Sequence, residues 1–215
     1  MSFNAEIISL ILQGLKYVPE FVEVGKDVWK KLKPPAKLAA DGAQNGIREN
    51  TYYSGDYKFQ ISIPDDSWSF WQPTPEFIAS LGVMFALPIR AIPIMVLSKN
   101  TVKLYRPMIY LIVEDVGSLV NVQEMVKASV NTLQLQGYMI EEKSIRYEPK
   151  SNSAAFMARI KNPSDNSIDV YTVIQVFLCS GKAYTLNASY APYDTNNPQL
   201  FGGMQEILNS FKLIK

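Results

Sequence analysis

Apolar and polar positions change their period several times along the 215 residues, and each change marks an element. Ile168 to Tyr190 reads as a β-hairpin: Val170 to Leu178, a turn at Ser180-Gly181-Lys182, then Ala183 to Ser189. The first arm is apolar on both parities, with Thr172, Ile174, Val176 and Leu178 on one face and Tyr171, Val173 and Phe177 on the other. A strand of that kind is covered on both sides. The second arm alternates Tyr184, Leu186 and Ala188 with Thr185, Asn187 and Ser189, which predicts one buried and one polar face. Just downstream, Phe201, Met204, Ile207, Leu208 and Phe211 recur at helical spacing, so a C-terminal helix is expected to lie back across the hairpin.

Upstream, Tyr57, Phe59, Ile61 and Ile63 alternate with polar residues as a half-buried strand does. Pro64-Asp65-Asp66 turns the chain into Trp68, Phe70 and Trp71, read as a second strand paired back on the first. Thr74-Pro75-Glu76 supplies a helix start, Phe77, Ile78, Leu81, Met84 and Phe85 continue it, and Pro88 stops it before a strand at Ile92 to Leu97. Phe77 to Leu97 has the length of a membrane span, but two prolines and Arg90 argue for a buried helix plus strand, or a hydrophobic flap. Met108 to Val113 is a run of strand length. Asn121 and Glu124 form a capping-box start for a helix with core stripe Val122, Met125, Val126, Val130 and Leu133, ended by Gly137. Tyr138 to Tyr147 and Ala154 to Ile160 then read as two strands, and Asn162 to Ser167 as a turn.

The first residues carry a different pattern. Ile7, Ile8, Ile11, Leu15 and Val18 form one amphipathic stripe, and after Pro19 a second runs through Phe21, Val22, Val28, Trp29 and Leu32. The stretch that follows is polar and rich in Pro, Ala and Gly, with little periodicity. The expected organisation is an amphipathic helical extension at 1–33, a linker at 34–55 and a main domain at 56–215. The extension either packs on that domain or docks it to a partner chain or a membrane surface.

Composition narrows the function. With 47% hydrophobic and 19% charged residues and a net charge of +1, the chain has neither the bias of a disordered segment nor the basic excess of a nucleic-acid binder. It contains no histidine, which removes Ser-His-Asp and Cys-His machinery and His-based zinc sites. The single Cys179 reads as a small core residue. Met1 to Leu12 lacks the charge and length of an export signal, so a cytoplasmic location is expected. The carboxylate pairs Asp65-Asp66, Glu114-Asp115 and Glu141-Glu142 fit turns and strand ends better than acid/base work, because neighbours along a strand face opposite ways. Asp165, Asn166 and Asp169 lack the glycine and distal glutamate of an EF-hand. Gly202-Gly203 is not a phosphate loop. No catalytic, cofactor or metal residue is assigned. The aromatic group Trp68, Phe70, Trp71 and Phe77 either caps one end of the core or, if exposed, makes a binding hot spot.

The order of elements, carried by Tyr57 to Pro64 with Trp68, Gly137-Tyr138, Tyr184 to Ser189 and Leu208 to Phe211, resembles the PsbP-like group, with its PsbP, Ran-binding Mog and bacterial DcrB-like members. The resemblance covers roughly residues 52 to 215. It implies an α+β fold, an antiparallel sheet sandwiched between helices (α/β/α), and proteins that act by binding other proteins, with no catalytic motif to transfer. The expected function is a non-enzymatic accessory or adaptor subunit that binds a protein partner or another copy of itself. Its partner-binding residues would be Ile7, Ile8, Ile11, Leu15, Phe21, Trp29 and Leu32 of the extension, with Trp68, Trp71 and Phe77. The alternatives are a DcrB-like chaperone that holds an apolar client helix against Phe77 to Leu97, and a peripheral membrane protein bound through residues 4 to 32.

Overall fold

The computed structural model describes residues 45–74, 91–100, 106–118, 120–135, 137–162, 165–191 and 198–214. The strands there are β1 (Gly46–Arg48), β2 (Thr51–Ser54), β3 (Phe59–Ser62), β4 (Trp68–Trp71), β5 (Ile94–Ser98), β6 (Met108–Asp115), β7 (Met139–Ile140), β8 (Arg146–Glu148), β9 (Ser153–Asn162), β10 (Asp165–Cys179), β11 (Lys182–Tyr190) and β12 (Lys212–Leu213). The helices are α1 (Val122–Leu135) and α2 (Pro198–Ser210). All pairings are antiparallel. A large sheet runs β4-β5-β6-β11-β10-β9-β7, with β8 also on β9, and a small one runs β1-β2-β3-β12.

The β10–β11 hairpin turns on Ser180 and Gly181, whose φ values of 51° and 74° put both in the left-handed region. Two such residues match the right-handed twist of the flanking strands, and the register locks with Cys179 opposite Lys182. β6 pairs along the other side of β11. The second arm of the hairpin is therefore the middle strand of the large sheet.

Each face of that sheet has its own core. On one, α1 lies over β7, β9 and β10, and Met125, Val126 and Leu133 meet Phe156, Ile174, Val176 and Leu178. The helix is capped as its sequence predicts. Glu124 N–H donates to Asn121 Oδ1 at 2.9 Å, Asn121 N–H reaches back to Glu124 Oε2 at 3.5 Å, and Gly137 ends it at φ 84°. On the other face α2 lies over β3 and β11, so that Met204, Ile207, Leu208 and Phe211 join Leu186, Ile109, Leu111, Phe59 and Ile61. Phe211 is the joint of that layer, with ring centroids 5.7 Å from Phe59, 5.2 Å from Phe177 and 6.2 Å from Tyr184. Ser210 fastens the helix end to β3 by accepting from the Ser62 N–H at 2.8 Å.

Several expectations change. The layers are a helix, the large sheet, and then α2 and the small sheet side by side, not helices alone on both faces; the helical extension at 1–33 lies outside the described residues. The sheet begins ten residues before the expected boundary at 56. Gly46 to Ser54, expected as linker, pairs as β1 and β2 across a tight turn at Glu49-Asn50, and Tyr52 is buried. That hairpin is too short for its alternation to stand out between Gly46, Asn50 and Gly55. Trp68 to Trp71 pairs with β5 instead of folding back on β3, because the turn at Asp65 carries the chain from the small sheet to the large one. Tyr138 to Tyr147 is not one strand: β7 stops after Ile140, and a turn of 3-10 helix at Glu142–Ser144 precedes β8. Its cause is Ser144, whose hydroxyl donates to the Glu141 carbonyl and accepts from the Met157 N–H. The turn expected at 162–167 shrinks as β10 starts at Asp165. Cys179 is exposed instead of core, having the opposite parity to Thr172, Ile174, Val176 and Leu178 at the hairpin mouth. Thr185, Asn187 and Ser189 are buried, at 1%, 0% and 0% exposure, since a middle strand has no solvent face.

Candidate interaction surface

Of the expected partner-binding residues, Ile7, Ile8, Ile11, Leu15, Phe21, Trp29, Leu32 and Phe77 lie outside the described residues. The two tryptophans that are described sit on opposite faces of β4, as a strand requires. Trp68 (2% exposed) belongs to the α2-side core and Trp71 (7%) to the α1-side core. Neither presents ring surface to a partner. Trp68 lies so close to α2 that a Cβ built on Gly203 would stand 2.6 Å from its Nε1. Packing thus explains Gly203, whereas a Cβ on Gly202 would meet nothing within 4 Å. At the end of the run considered for an apolar client groove, Ala91, Ile92 and Ile94 to Leu97 are also buried. Residues 94–97 form β5, between β4 and β6, so that part of the run is sheet core; the rest of it lies outside the described residues. Among the described residues no helix is long and apolar enough to cross a membrane.

The outward-facing chemistry lies elsewhere. α2 and the small sheet leave β9 and the edge of β10 half-open on their side, and a row of rings runs out from the core to that edge. Phe201 meets Tyr190 edge-on at 5.7 Å, Tyr190 stacks on Tyr171 at 5.8 Å, and the Arg159 guanidinium stands 6.0 Å from the Tyr171 ring centroid. Arg159 also donates to Met139 Sδ at 3.4 Å. The Tyr171 hydroxyl, with Asp169 and Glu141, holds the Arg159 charge still more firmly than usual. Asp169 is shared between Lys161 at 3.0 Å and Arg159 at 4.0 Å. Met139, 48% exposed, forms the rim. Methionine, tyrosine and arginine are the types enriched where proteins meet. The row is absent from the sequence reading, which followed Ala154, Phe156, Ala158 and Ile160 in β9 and left Arg159, on the other parity, unread.

Asp65, Asp66, Asp115, Glu141 and Glu142 are exposed, as solvated turns and strand ends, whereas Glu114 is not. Asp65 accepts from the Ser67 hydroxyl and N–H at 2.5 and 2.7 Å, which holds its carboxyl below the usual aspartate range. Glu114 and Asp115 face opposite ways; Glu114 is buried, and Asp115 is exposed and takes the Lys182 ammonium at 2.5 Å. Asp169, weighed as a calcium ligand, is held by cationic side chains. Among the described residues no three acidic, cysteine or histidine side chains are placed to hold a metal. A cavity of about 240 Å³ beside the hairpin tip is lined by Val116, Ser118, Asn152, Cys179 and Lys182. Lys182 is engaged with Asp115 there, and the chain has no histidine to activate the thiol.

No protein-family model and no curated protein matches the chain. Among solved structures it is similar to cyanobacterial PsbP (CyanoP) from Synechocystis sp. PCC 6803, at 11% identity and a TM-score of 0.48 over 76% of this chain and 91% of that one. It is similar to LpqN, involved in cell envelope biogenesis of Mycobacterium tuberculosis, at 11% identity and 0.47 over 73% and 83%. It is also similar to the Saccharomyces cerevisiae Ran-binding protein Mog1p, at 7% identity and 0.42 over 74% and 91%. These structures share the PsbP-like fold that the order of elements resembles, and the likeness is one of fold alone.

Proposed function

We propose that the chain is a non-enzymatic, protein-binding accessory subunit that docks to a larger assembly through the apolar stripes of residues 7–32. The observation that carries this reading is that the large sheet is covered by elements of its own domain, α1 on one face and α2 with the small sheet on the other. Asn45 is tied by its side chain to the Gly55 N–H at 2.6 Å and to the Asp56 carboxylate at 2.5 Å, and β1 is the outer strand of the small sheet. Asn45 therefore sits at a sheet edge, and apart from the half-open strip along β9 and β10 the large sheet is covered from within residues 45–214. The two amphipathic stripes that precede it in sequence have the spaced apolar anchors with which helices enter a partner's groove.

The test places charge on the stripes of the full chain, as Ile8→Asp with Ile11→Asp and, separately, Phe21→Asp with Trp29→Asp. The reading expects the thermal midpoint to stay within about 2 °C of the parent, the scale of surface substitutions, and the protein that co-purifies with the parent chain to be lost. Retained co-purification refutes docking through the stripes. A collapse of the midpoint refutes it as well, by making the stripes part of the fold's own core. A second copy of the chain as the species lost from the variants identifies the partner as self.

A further inference from the structure

On the face that carries α2 and the small sheet, β9 and β10 keep a row of half-buried positions. Ala155 and Met157 of β9 stand opposite Gln175 and Val173 of β10, with Arg159 and Tyr171 at one end. The centre of the row is uncharged, and the charges at its end pair with one another, Arg159 and Lys161 with Asp169. The strip is two strands wide, about 10 Å, and residues 153 to 159 run along it for about 20 Å. One short helix, about 10–12 Å across, fills a surface of that size. The stripe of residues 21–32, read as a helix, is about 18 Å long and carries Phe21, Val28, Trp29 and Leu32 on one side.

Where the chain enters the described body says which strip the stripe meets. The small sheet runs from the β10 side, where Phe211 beside β12 reaches Phe177, to the β4 side, where Tyr52 of β2 meets Phe70 at 6.2 Å. β1 is its outer strand, next to β2. Asn45 therefore lies on the β4 side, and β9 is five strands away across the large sheet, about 24 Å. To reach its own strip the stripe has to be drawn across α2 and the small sheet. A twofold axis parallel to the strands, with these faces opposed, sets the β4 side of each copy over the β9 side of the other. The segment before Asn45 then starts above the strip of the second copy.

We propose that the half-open strip of β9 and β10 is the docking site for the stripe of residues 21–32 from a second copy of this chain, exchanged reciprocally in a twofold dimer. The inference rests on the reading of these stripes as docking elements and names the partner. A second copy covers both faces at once, the stripe of each chain lying in the strip of the other. Reciprocity doubles a contact of one helix's size towards the roughly 1,200–2,000 Å² of a stable interface. The net charge of +1 sets no long-range repulsion between the copies.

The experiment measures the mass of the full chain by analytical ultracentrifugation. The samples are the parent, Met157→Glu in the strip, Phe21→Asp with Trp29→Asp in the stripe, and an equimolar mixture of the two variants. The proposal expects a parent of twice 24.2 kDa, loss of the dimer in each variant alone, and a mixed dimer, weaker than the parent, in the mixture. The mixed dimer forms because the intact stripe of the first variant meets the intact strip of the second, and its formation shows that both are folded. Ala155→Arg takes the place of Met157→Glu if circular dichroism shows that chain unfolded. A dimer that persists with charge in the strip overturns the proposal, and so does a mixture of folded variants that stays monomeric. A monomeric parent whose stripe variants lose a different co-purifying protein also overturns it, and leaves docking through the stripes standing. A dimer untouched by Phe21→Asp with Trp29→Asp refutes both.

Discussion

Replacing Gly202 and Gly203 one at a time by alanine separates helix propensity from packing in a single turn of α2. Both residues lie inside the helix, where glycine costs about 0.8–1.0 kcal/mol relative to alanine. At Gly202 a new Cβ would meet nothing within 4 Å, so Gly202→Ala keeps that gain. At Gly203 the Cβ would stand 2.6 Å from Trp68 Nε1, 3.4 Å from Cε2 and 3.5 Å from Pro64 Cγ. A comfortable contact needs about 3.5 Å, so the helix or the indole must give by close to an ångström, and Trp68 is buried in a packed core. Overpacking of this kind costs about 1–3 kcal/mol. The propensity gain is common to the two variants, so the difference between them is the clash itself, about 1–3 kcal/mol. For a chain of this length that is roughly 2–12 °C in thermal midpoint, read by circular dichroism, with the tryptophan emission reporting on the Trp68 environment. Gly202→Ala is expected above the parent and Gly203→Ala below Gly202→Ala by that margin. Equal midpoints, or Gly203→Ala the more stable, would refute the close approach of α2 to β4.

Phe211→Ala removes the ring that joins Phe59, Phe177 and Tyr184 and is expected to cost about 3–5 kcal/mol in urea unfolding; a loss below about 1 kcal/mol would show that α2 is held by other contacts. Asn121→Ala deletes the cap on the Glu124 N–H and should cost about 1 kcal/mol, with Asn121→Asp near neutral as the control that preserves the acceptor. Asp65 should titrate below the ordinary aspartate range by carbon-detected NMR, and Ser67→Ala should raise it, because the Ser67 hydroxyl is the first cause of its depression. The sign follows from linkage: a carboxyl depressed in the fold stabilises above its unfolded value of about 3.9, and that contribution disappears as pH falls through the folded value. A Ser67→Ala protein whose Asp65 titrates unchanged would contradict the assignment.

Local pattern was enough for the elements that carry their own signal. The capping box Asn121 and Glu124, the stop at Gly137, the Ser180-Gly181 turn and the apolar stripe of α2 each consist of residues within a few positions of one another, and α1, the hairpin and α2 are where those signals place them. Side-chain parity likewise assigns Thr172, Ile174, Val176 and Leu178 to one face of β10. What the sequence does not contain is the identity of neighbours across the sheet. Thr185, Asn187 and Ser189 read as a solvent face because they are polar, yet β6, about seventy positions earlier in the chain, pairs with β11 and makes it the middle strand. A strand covered on both faces buries its polar parity whatever that parity contains.

The outward chemistry was hidden for the same reason. Arg159, Tyr171, Tyr190 and Phe201 come from β9, β10, β11 and α2, and they form a row only because antiparallel pairing sets Tyr171 opposite both Arg159 and Tyr190. Trp68 and Trp71, conspicuous as a pair in sequence, are divided between two cores by the period of a strand. Turns, caps and stripes are short-range properties, set by backbone dihedrals and spacing along the chain. Burial of a polar row, and the choice of which aromatics reach the surface, are long-range ones, decided when distant strands take their places in the sheet.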